Sequence, residues 1–315
     1  MERSEIRDSV KVALLDKVRR QDYGSYLLKI DVSKIRGFSG ETISFDFPVT
    51  ALIGPNGSGK SSILGAAACA YKNIKPGAFF PKSAIGDTSM AGWRAEYEAI
   101  DKSLNPRQSV RRNSNFRRAK WVRSDVLSRP TIFFGIERTV PAGEKTKYKK
   151  LMRSTYNHHG SIVAIEEQVG RQVEHVLGKD VQNFRIADIG GNESFLVGNN
   201  NGSDYSEFHF GAGESSIIRM IKEIESAPNN SLILIEEIEN GLHPVATRRM
   251  VEYLIDVAQR KNIQAIFTTH SDYALSPLPN EAIWACINGK LKQGKLSVEA
   301  LRAVSGRIDK GGCSK

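Results

Sequence analysis

The chain has 315 residues, of which 40% are hydrophobic, 8% aromatic and 25% charged, with a formal net charge of +10. This is globular composition with room for one large domain or two modest ones, which excludes wholesale disorder. No apolar run reaches the roughly 18 residues of a membrane helix. The charged start MERSEIRDSV lacks the apolar stretch of a secretory signal. Cys69, Cys286 and Cys313 are too scattered for a disulfide framework or a thiolate zinc site, so a cytoplasmic protein is expected. The positive charge is concentrated. Residues 102–150 hold fourteen Lys/Arg against three acids, a net +11, so the rest of the chain sums to −1.

In chain order, residues 4–20 carry apolar side chains at mostly helical spacing, which predicts an amphipathic helix, with 1–25 as an N-terminal unit. YLLKIDVSKIRGFSGETISFDF predicts two or three strands with turns at Gly37 and Gly40. VTALI, residues 49–53, suits a buried strand, and the small-residue run ILGAAACA suits a helix packed closely on a sheet. Residues 76–160 differ in kind. AGWRAEYEAI and RPTIFFGIE predict strands and NPRQSVRRNSNFRR a loop or hairpin, so an inserted antiparallel basic lobe is expected between core segments 26–75 and 161–315. Residues 162–177 read as a helix, and 190–210 as two short strands around an Asn/Gly turn. From 213 onward helix, strand, helix and strand alternate, which requires a parallel sheet. The last 45 residues read as a strand, a Gly-Lys turn, a short helix and a tail.

The chemistry begins at Gly54, Pro55, Asn56, Gly57, Ser58, Gly59, Lys60 and Ser61, followed by Ser62, which fit G-x-x-x-x-G-K-[ST] between a strand and a helix. Glycines let backbone N–H groups wrap a phosphate, and the helix N-terminus adds a favourable dipole end. Lys60 would reach the β- and γ-phosphates of ATP and Ser61 would ligate Mg²⁺. LILI ends in Glu236 and Glu237. Acids at that end of a strand face the ligand crevice of an α/β sheet, although they also occur as solvated turns. Glu236 would hold Mg²⁺ through water, and Glu237 would orient or deprotonate the attacking water. His270, after the strand QAIF, could meet the γ-phosphate or be an ordinary surface or core histidine.

This order of motifs resembles the ABC-type ATPases of the SMC and OLD group, and is most similar to the short OLD-like AAA ATPases of bacterial anti-phage systems. KIRGFSGETISFDFPVTALIGPNGSGKSSIL, LILIEEIENGLHPVATRRM and AIFTTHSDYAL carry the likeness, firmly over 30–75 and 205–275. It implies an α/β P-loop NTPase with an ABC-like core, a mixed sheet flanked by helices. It implies that Glu237 is the catalytic glutamate, that Glu239 with Asn240 forms the D-loop, and that His270 is the switch histidine. Phe210-Gly-Ala-Gly-Glu214 stands where the family signature belongs, so Gly211, Gly213 and Glu214 would close over nucleotide held by a second subunit. Gly211 replaces the usual serine, with Ser215 as a possible substitute. Glu236 replaces the usual aspartate. For the Q-loop metal contact Glu137 is the best candidate, ahead of Gln108 and Gln168. Lys34 and Arg36 fall where relatives contact the adenine and α-phosphate.

No nuclease constellation stands apart from these motifs, and no coiled-coil arm is evident. The expectation is an ATPase subunit of an anti-phage complex, a dimer or higher homo-oligomer that senses a trigger and controls a separate effector such as a nuclease. The alternative is a DNA-repair or DNA-processing ATPase acting directly on DNA; a transport subunit fits the motifs poorly. The Arg-rich 102–150 segment, interleaved with Trp121 and Tyr148, would bind DNA or an acidic protein, or be a solvated insertion.

Overall fold

A computed structural model describes residues 4–295 except 84, 86–89, 118, 119, 154–157, 182, 192 and 201. Arg118, Cys313 and the short helix expected near the C-terminus lie outside the described residues. Helix α1 is Asp8–Arg19, with Asp8 in its first turn and Lys17 and Arg19 in its last, charges that suit the helix dipole. Strands β1 (Ser25–Ile35) and β2 (Phe38–Ser44) form a hairpin turning at Arg36 and Gly37, with Gly40 inside β2 rather than at a turn. Strand β3 (Val49–Ile53) leads into α2 (Lys60–Ala68).

Strands β4 (Arg94–Asp101), β5 (Val110–Arg117) and β6 (Lys120–Ser124) are the antiparallel strands of the 76–160 segment. They extend the sheet begun by β1 and β2, in the order β2-β1-β4-β5-β6. Strand β7 (Thr131–Phe134), from the same segment, joins the parallel sheet instead. A short strand β8 (Ile162–Ala164) precedes α3 (Glu167–Leu177), where helix alone was expected. β8 pairs with β9 (Arg185–Asp188), which continues to the hairpin of β10 (Ser194–Asn200) and β11 (Ser203–Ser206). The remaining elements are α4 (Ala212–Ser226), β12 (Leu232–Ile235), α5 (Pro244–Lys261), β13 (Gln264–Thr268), α6 (Asp272–Leu275), β14 (Ile283–Ile287) and β15 (Lys290–Gln293).

The central sheet runs β15-β14-β3-β13-β12-β7, parallel except for β15 at its edge. β3, β12 and β13 are buried throughout, as strands covered on both faces must be. Alternate side chains divide between two cores. Ala51, Ile53, Ile233, Ile235 and Phe267 face the helices α3, α4 and α5. Leu52, Leu232, Leu234 and Ile266 face α2 and the antiparallel sheet. The alanines of α2 are buried there, where small side chains let the helix lie close to the strands. The result is a mixed α/β architecture of sheets flanked by helices. It places the C-terminal ends of β3, β12 and β13 side by side. Among the described residues no helix is long and apolar enough to cross a membrane.

Candidate functional site

The loop after β3 is held open by its glycines. Gly59 has φ +96°, and a Cβ there would collide with the Phe38 ring, so this turn accepts no larger residue. Lys60 opens α2 and is only 8% exposed. Its Nζ donates to the carbonyls of Gly54 (2.9 Å) and Pro55 (3.0 Å). Burial pulls the Lys60 pKa down, and the neighbouring Cys286, Glu237 and Glu239 oppose that shift. In front of the ammonium lies a cavity of about 580 Å³, a size that suits a nucleotide. Arg36, Gly37, Phe38, Pro55, Asn56, Gly57, Ser58, Gly59, Lys60, Ser61, Ser62, Glu237, Thr268, His270, Asn288 and Gly289 line it. Arg36 donates to Ser62 Oγ at 3.0 Å and lies over the Phe80 ring.

The ends of β12 and β13 form the facing wall. Glu237 adopts φ +44°, and its N–H donates to Thr268 Oγ1 at 2.8 Å. Its Oε2 accepts a hydrogen bond from Asn240 Nδ2 at 2.9 Å, which aims the carboxylate. Glu239 accepts from the Thr269 hydroxyl (2.7 Å) and from the His270 N–H (2.6 Å), tying the turn after β12 to the turn after β13. Burial, and then the Lys60 charge, lower the His270 pKa, so its imidazole is neutral at pH 7.

Arg138 is the residue that sequence reasoning missed. Its guanidinium donates to the carbonyls of Gly135 (2.9 Å), Glu236 (2.7 Å) and Glu237 (2.6 Å), and so clamps the strained turn. Burial lowers its pKa, against the opposing fields of Glu137, Glu239, Glu237 and Glu236. In sequence it is one more cation of the basic segment, with no local pattern that marks it.

Other expected site residues lie elsewhere. Glu236 is not among the cavity-lining residues; its N–H is bonded to Phe134 O at 2.9 Å. Glu137 lies in the one-turn helix Ile136–Thr139 and lines a separate cavity of about 490 Å³ with Arg138, Lys145, Lys147, Arg219 and Glu223. The chain turns away at Gly135, directly after β7, and carries Glu137 off the P-loop wall. Neither Gln108, Gln168 nor Lys34 lines the P-loop cavity.

Gly211 caps α4 and is exposed, with open space where a Cβ would point. Gly213 is buried, and a Cβ there would strike the Gly241 carbonyl, so its smallness serves a backbone crossing within the chain. Glu214 pairs with Lys179 at 2.6 Å, and Ser215 is buried. None of Gly211, Gly213 and Glu214 lines the cavity in front of Lys60.

The basic segment separates by role. Arg129 is buried and bonded to Asn230 O (2.6 Å) and Gln264 Oε1 (2.8 Å). Arg123 donates to the carbonyls of Tyr71 and Ile74 beyond α2. Tyr148 is fully buried, and Trp121 packs against Phe80, Trp93 and Phe116. The stacking role expected of these two rings is therefore not available to Tyr148, whereas Trp121 is half-buried and only part of its ring is used in packing.

A family model described as "AAA domain, putative AbiEii toxin, Type IV TA system" matches residues 96–276, more than half of the chain. The chain belongs to this AAA family. The match takes in the β12 and β13 turns and begins after the P-loop, which stands on the residues above. No curated protein matches the chain significantly. Among solved structures, the AAA-family chain is similar to an Smc head domain bound to the C-terminal domain of ScpA, from Pyrococcus furiosus. There the TM-score is 0.55 at 13% identity, over 90% of this chain and 100% of that one. An SMC head domain from Thermotoga maritima gives 0.51 at 14% identity, over 86% and 99%. An SmcHead bound to the C-winged helix domain of ScpA gives 0.54 at 16%, over 88% and 99%. At these identities the likeness establishes the fold alone, that of the SMC head domains.

Proposed function

We propose that the protein binds ATP with Mg²⁺ in the P-loop cavity and hydrolyses it. The carrying observation is the convergence of buried Lys60 with Glu237 and His270 on one cavity lined by the P-loop. The Lys60 ammonium rests on two carbonyls of its own loop, and the phosphates of ATP would draw it away with stronger, charge-assisted bonds. Ser61 would ligate Mg²⁺, with Glu236 as a water-mediated partner. Glu237, aimed by Asn240, would orient or deprotonate the attacking water. Neutral His270 would meet the γ-phosphate. Glu137 as a metal contact would need the β7 turn to move. Lys60→Ala is expected to weaken ATP binding at least about tenfold, since each charged hydrogen bond contributes about 1.5–3 kcal/mol. Glu237→Gln should abolish turnover and leave affinity intact. Unchanged ATP affinity in Lys60→Ala, by calorimetry, would remove the assignment.

The signature loop at Gly211, Gly213 and Glu214 stands at the start of α4 and does not line the cavity of its own chain, in keeping with a homo-oligomer that has composite sites. The toxin and antitoxin terms of the family description point toward a defence role, and the proposal adds that an OLD-like ATPase there controls a separate effector, a nuclease by preference. Co-purification of a neighbouring gene product, lost on Lys60→Ala, is the expected result; an ATPase that purifies alone and protects cells alone would overturn effector control. A second reading, direct action on DNA, is favoured by one observation: Arg111 and Arg117 stand exposed on the β5–β6 hairpin. Salt-dependent DNA affinity, lost on reversing these charges, would support it.

A further inference from the structure

Outside the P-loop cavity, three elements converge on a small polar cluster: the segment before α1, α3 and α5. Glu5, His175 and Glu252 each direct one potential ligand atom to it, and these atoms lie within 4.8 Å of one another. Among the described residues it is the one group of three or more such side chains that meets this spacing. We propose that Glu5, His175 and Glu252 form a binding site for a divalent transition-metal ion of the zinc class, which fastens the N-terminal helix to the helical layer.

The second, independent observation is the state of Glu252. It is 3% exposed, and its Oε2 has no hydrogen-bond partner. Its Oε1 accepts the Glu5 N–H at 3.0 Å and forms an ion pair with Arg248 Nε at 3.8 Å, so both contacts fall on the one oxygen and Oε2 is left without a donor. A buried carboxylate oxygen without a donor is costly, and a metal ion is one of the few partners that satisfies it. The Glu5 N–H bond then acts as the outer contact that orients a ligating carboxylate.

One imidazole and two carboxylates make a nitrogen–oxygen donor set suited to zinc and its neighbours. Tetrahedral ligands at about 2.1 Å from zinc stand about 3.4 Å apart, so the three side chains must draw in by about 1 Å. Glu5 and His175 are exposed and free to do so. Three protein ligands leave a fourth position to water. Mechanically the ion would act where α1 needs help. Only Leu14 and Val18 of α1 are buried, and its far end is held by Lys17 on Asn262 Oδ1 at 2.6 Å. A metal at Glu5 would fix the near end to the middle of α5.

The test uses the full chain, stripped with chelator and free of nucleotide. Zn²⁺ is titrated by competition with a chromogenic chelator, and hydrogen exchange is followed over residues 4–19. The expected result is one tightly held equivalent and slowed exchange of that segment. The double variant Glu5→Gln/His175→Ala leaves buried Glu252 and its packing in place. It should weaken zinc binding at least about tenfold, the range for loss of supporting ligand contacts, and abolish the zinc-dependent protection. Equal zinc affinity in wild type and double variant would overturn the proposal, because ions held at the nucleotide site or on the surface survive those substitutions. Exchange of 4–19 that ignores zinc in the wild type would overturn it as well.

Discussion

Arg138→Ala removes a single guanidinium that holds three carbonyls, those of Gly135, Glu236 and Glu237, at 2.9, 2.7 and 2.6 Å. Charged hydrogen bonds contribute about 1.5–3 kcal/mol each, but bonds sharing one side chain do not add, and Arg138 is only half-buried. A loss of about 2–4 kcal/mol in the stability of the turn is the reasonable scale. The turn includes Glu237 at φ +44°, a conformation a glutamate does not hold without support. Released, Glu237 moves toward ordinary backbone angles, and a displacement of about 1 Å at a water-activating carboxylate costs on the order of a hundredfold in rate. Phosphate release at saturating ATP should therefore fall about 10–100-fold. ATP affinity, read by fluorescent-nucleotide titration, should stay within about threefold, because Lys60 and its loop carbonyls are untouched. Arg138→Lys keeps the charge but can reach only part of the fork, so it should fall between the two. Wild-type turnover in Arg138→Ala would refute both the clamp and the placing of Glu237 at the chemistry.

Gly59→Ala meets both the positive φ and the Phe38 ring; a loss of about 1–3 kcal/mol in urea unfolding is expected, and full stability would mean the loop relaxes freely. Arg129→Met leaves the Asn230 carbonyl and Gln264 Oε1 short of a donor; a stability loss of about 3 kcal/mol is expected, and one below about 1 would refute its structural role. The lowered His270 pKa has a defined sign. The unfolded chain takes the proton first, near its ordinary value of about 6.5, so stability is full above that pH and declines as pH falls toward the folded value. A turnover profile should accordingly hold level from pH 8 to about 6.5 and bend only below it, and His270→Gln should remove that inflection; an inflection above 7 would contradict the neutral imidazole. In mixing, a Lys60→Ala chain and a Gly211→Asp chain should recover part of the turnover if the signature acts across subunits. Gly211 is the position of choice, because it is exposed with open space at Cβ, whereas Gly213 cannot change without displacing Gly241. Co-assembly without recovery would refute the composite site.

The sequence carries the parallel core plainly because each of its signals is local. VTALI, LILI and QAIFT are continuous apolar runs, and strands buried on both faces have to be. The P-loop is likewise local: its glycines, Lys60 and Ser61 are consecutive. What the sequence conceals is pairing between distant segments. Nothing within 94–124 says that β4 pairs with β1 rather than closing a lobe of its own; the pairing of Ile30 with Tyr97 is set by the shared core beneath them. Ile162–Ala164 has helical neighbours and becomes a strand because the edge of β9 is available to it. In the candidate site, Glu237 and His270 are legible from their places at strand ends. Arg138 is not, because its role depends on carbonyls ninety-eight and ninety-nine residues away.

The same distinction governs the basic segment. Counted along the chain, residues 102–150 are a uniform island of +11. In space, Arg129 lies in the core, Arg123 covers carbonyls beyond α2, Arg138 clamps the β12 turn, and Lys147 pairs with Glu193 at 2.8 Å. The three arginines are held by acceptors within the protein, and Lys147 is paired with an acid. Arg111, 84% exposed and 3.7 Å from Glu98, and Arg117 at the end of β5 remain outward-facing. Arg107 and Lys149 are exposed elsewhere in the segment, and the β5–β6 hairpin presents one outward-facing surface for nucleic acid or an acidic protein. Charge reversal at Arg111 and Arg117 tests that surface, whereas reversal at Arg123, Arg129 or Arg138 would report on folding and on the catalytic turn instead.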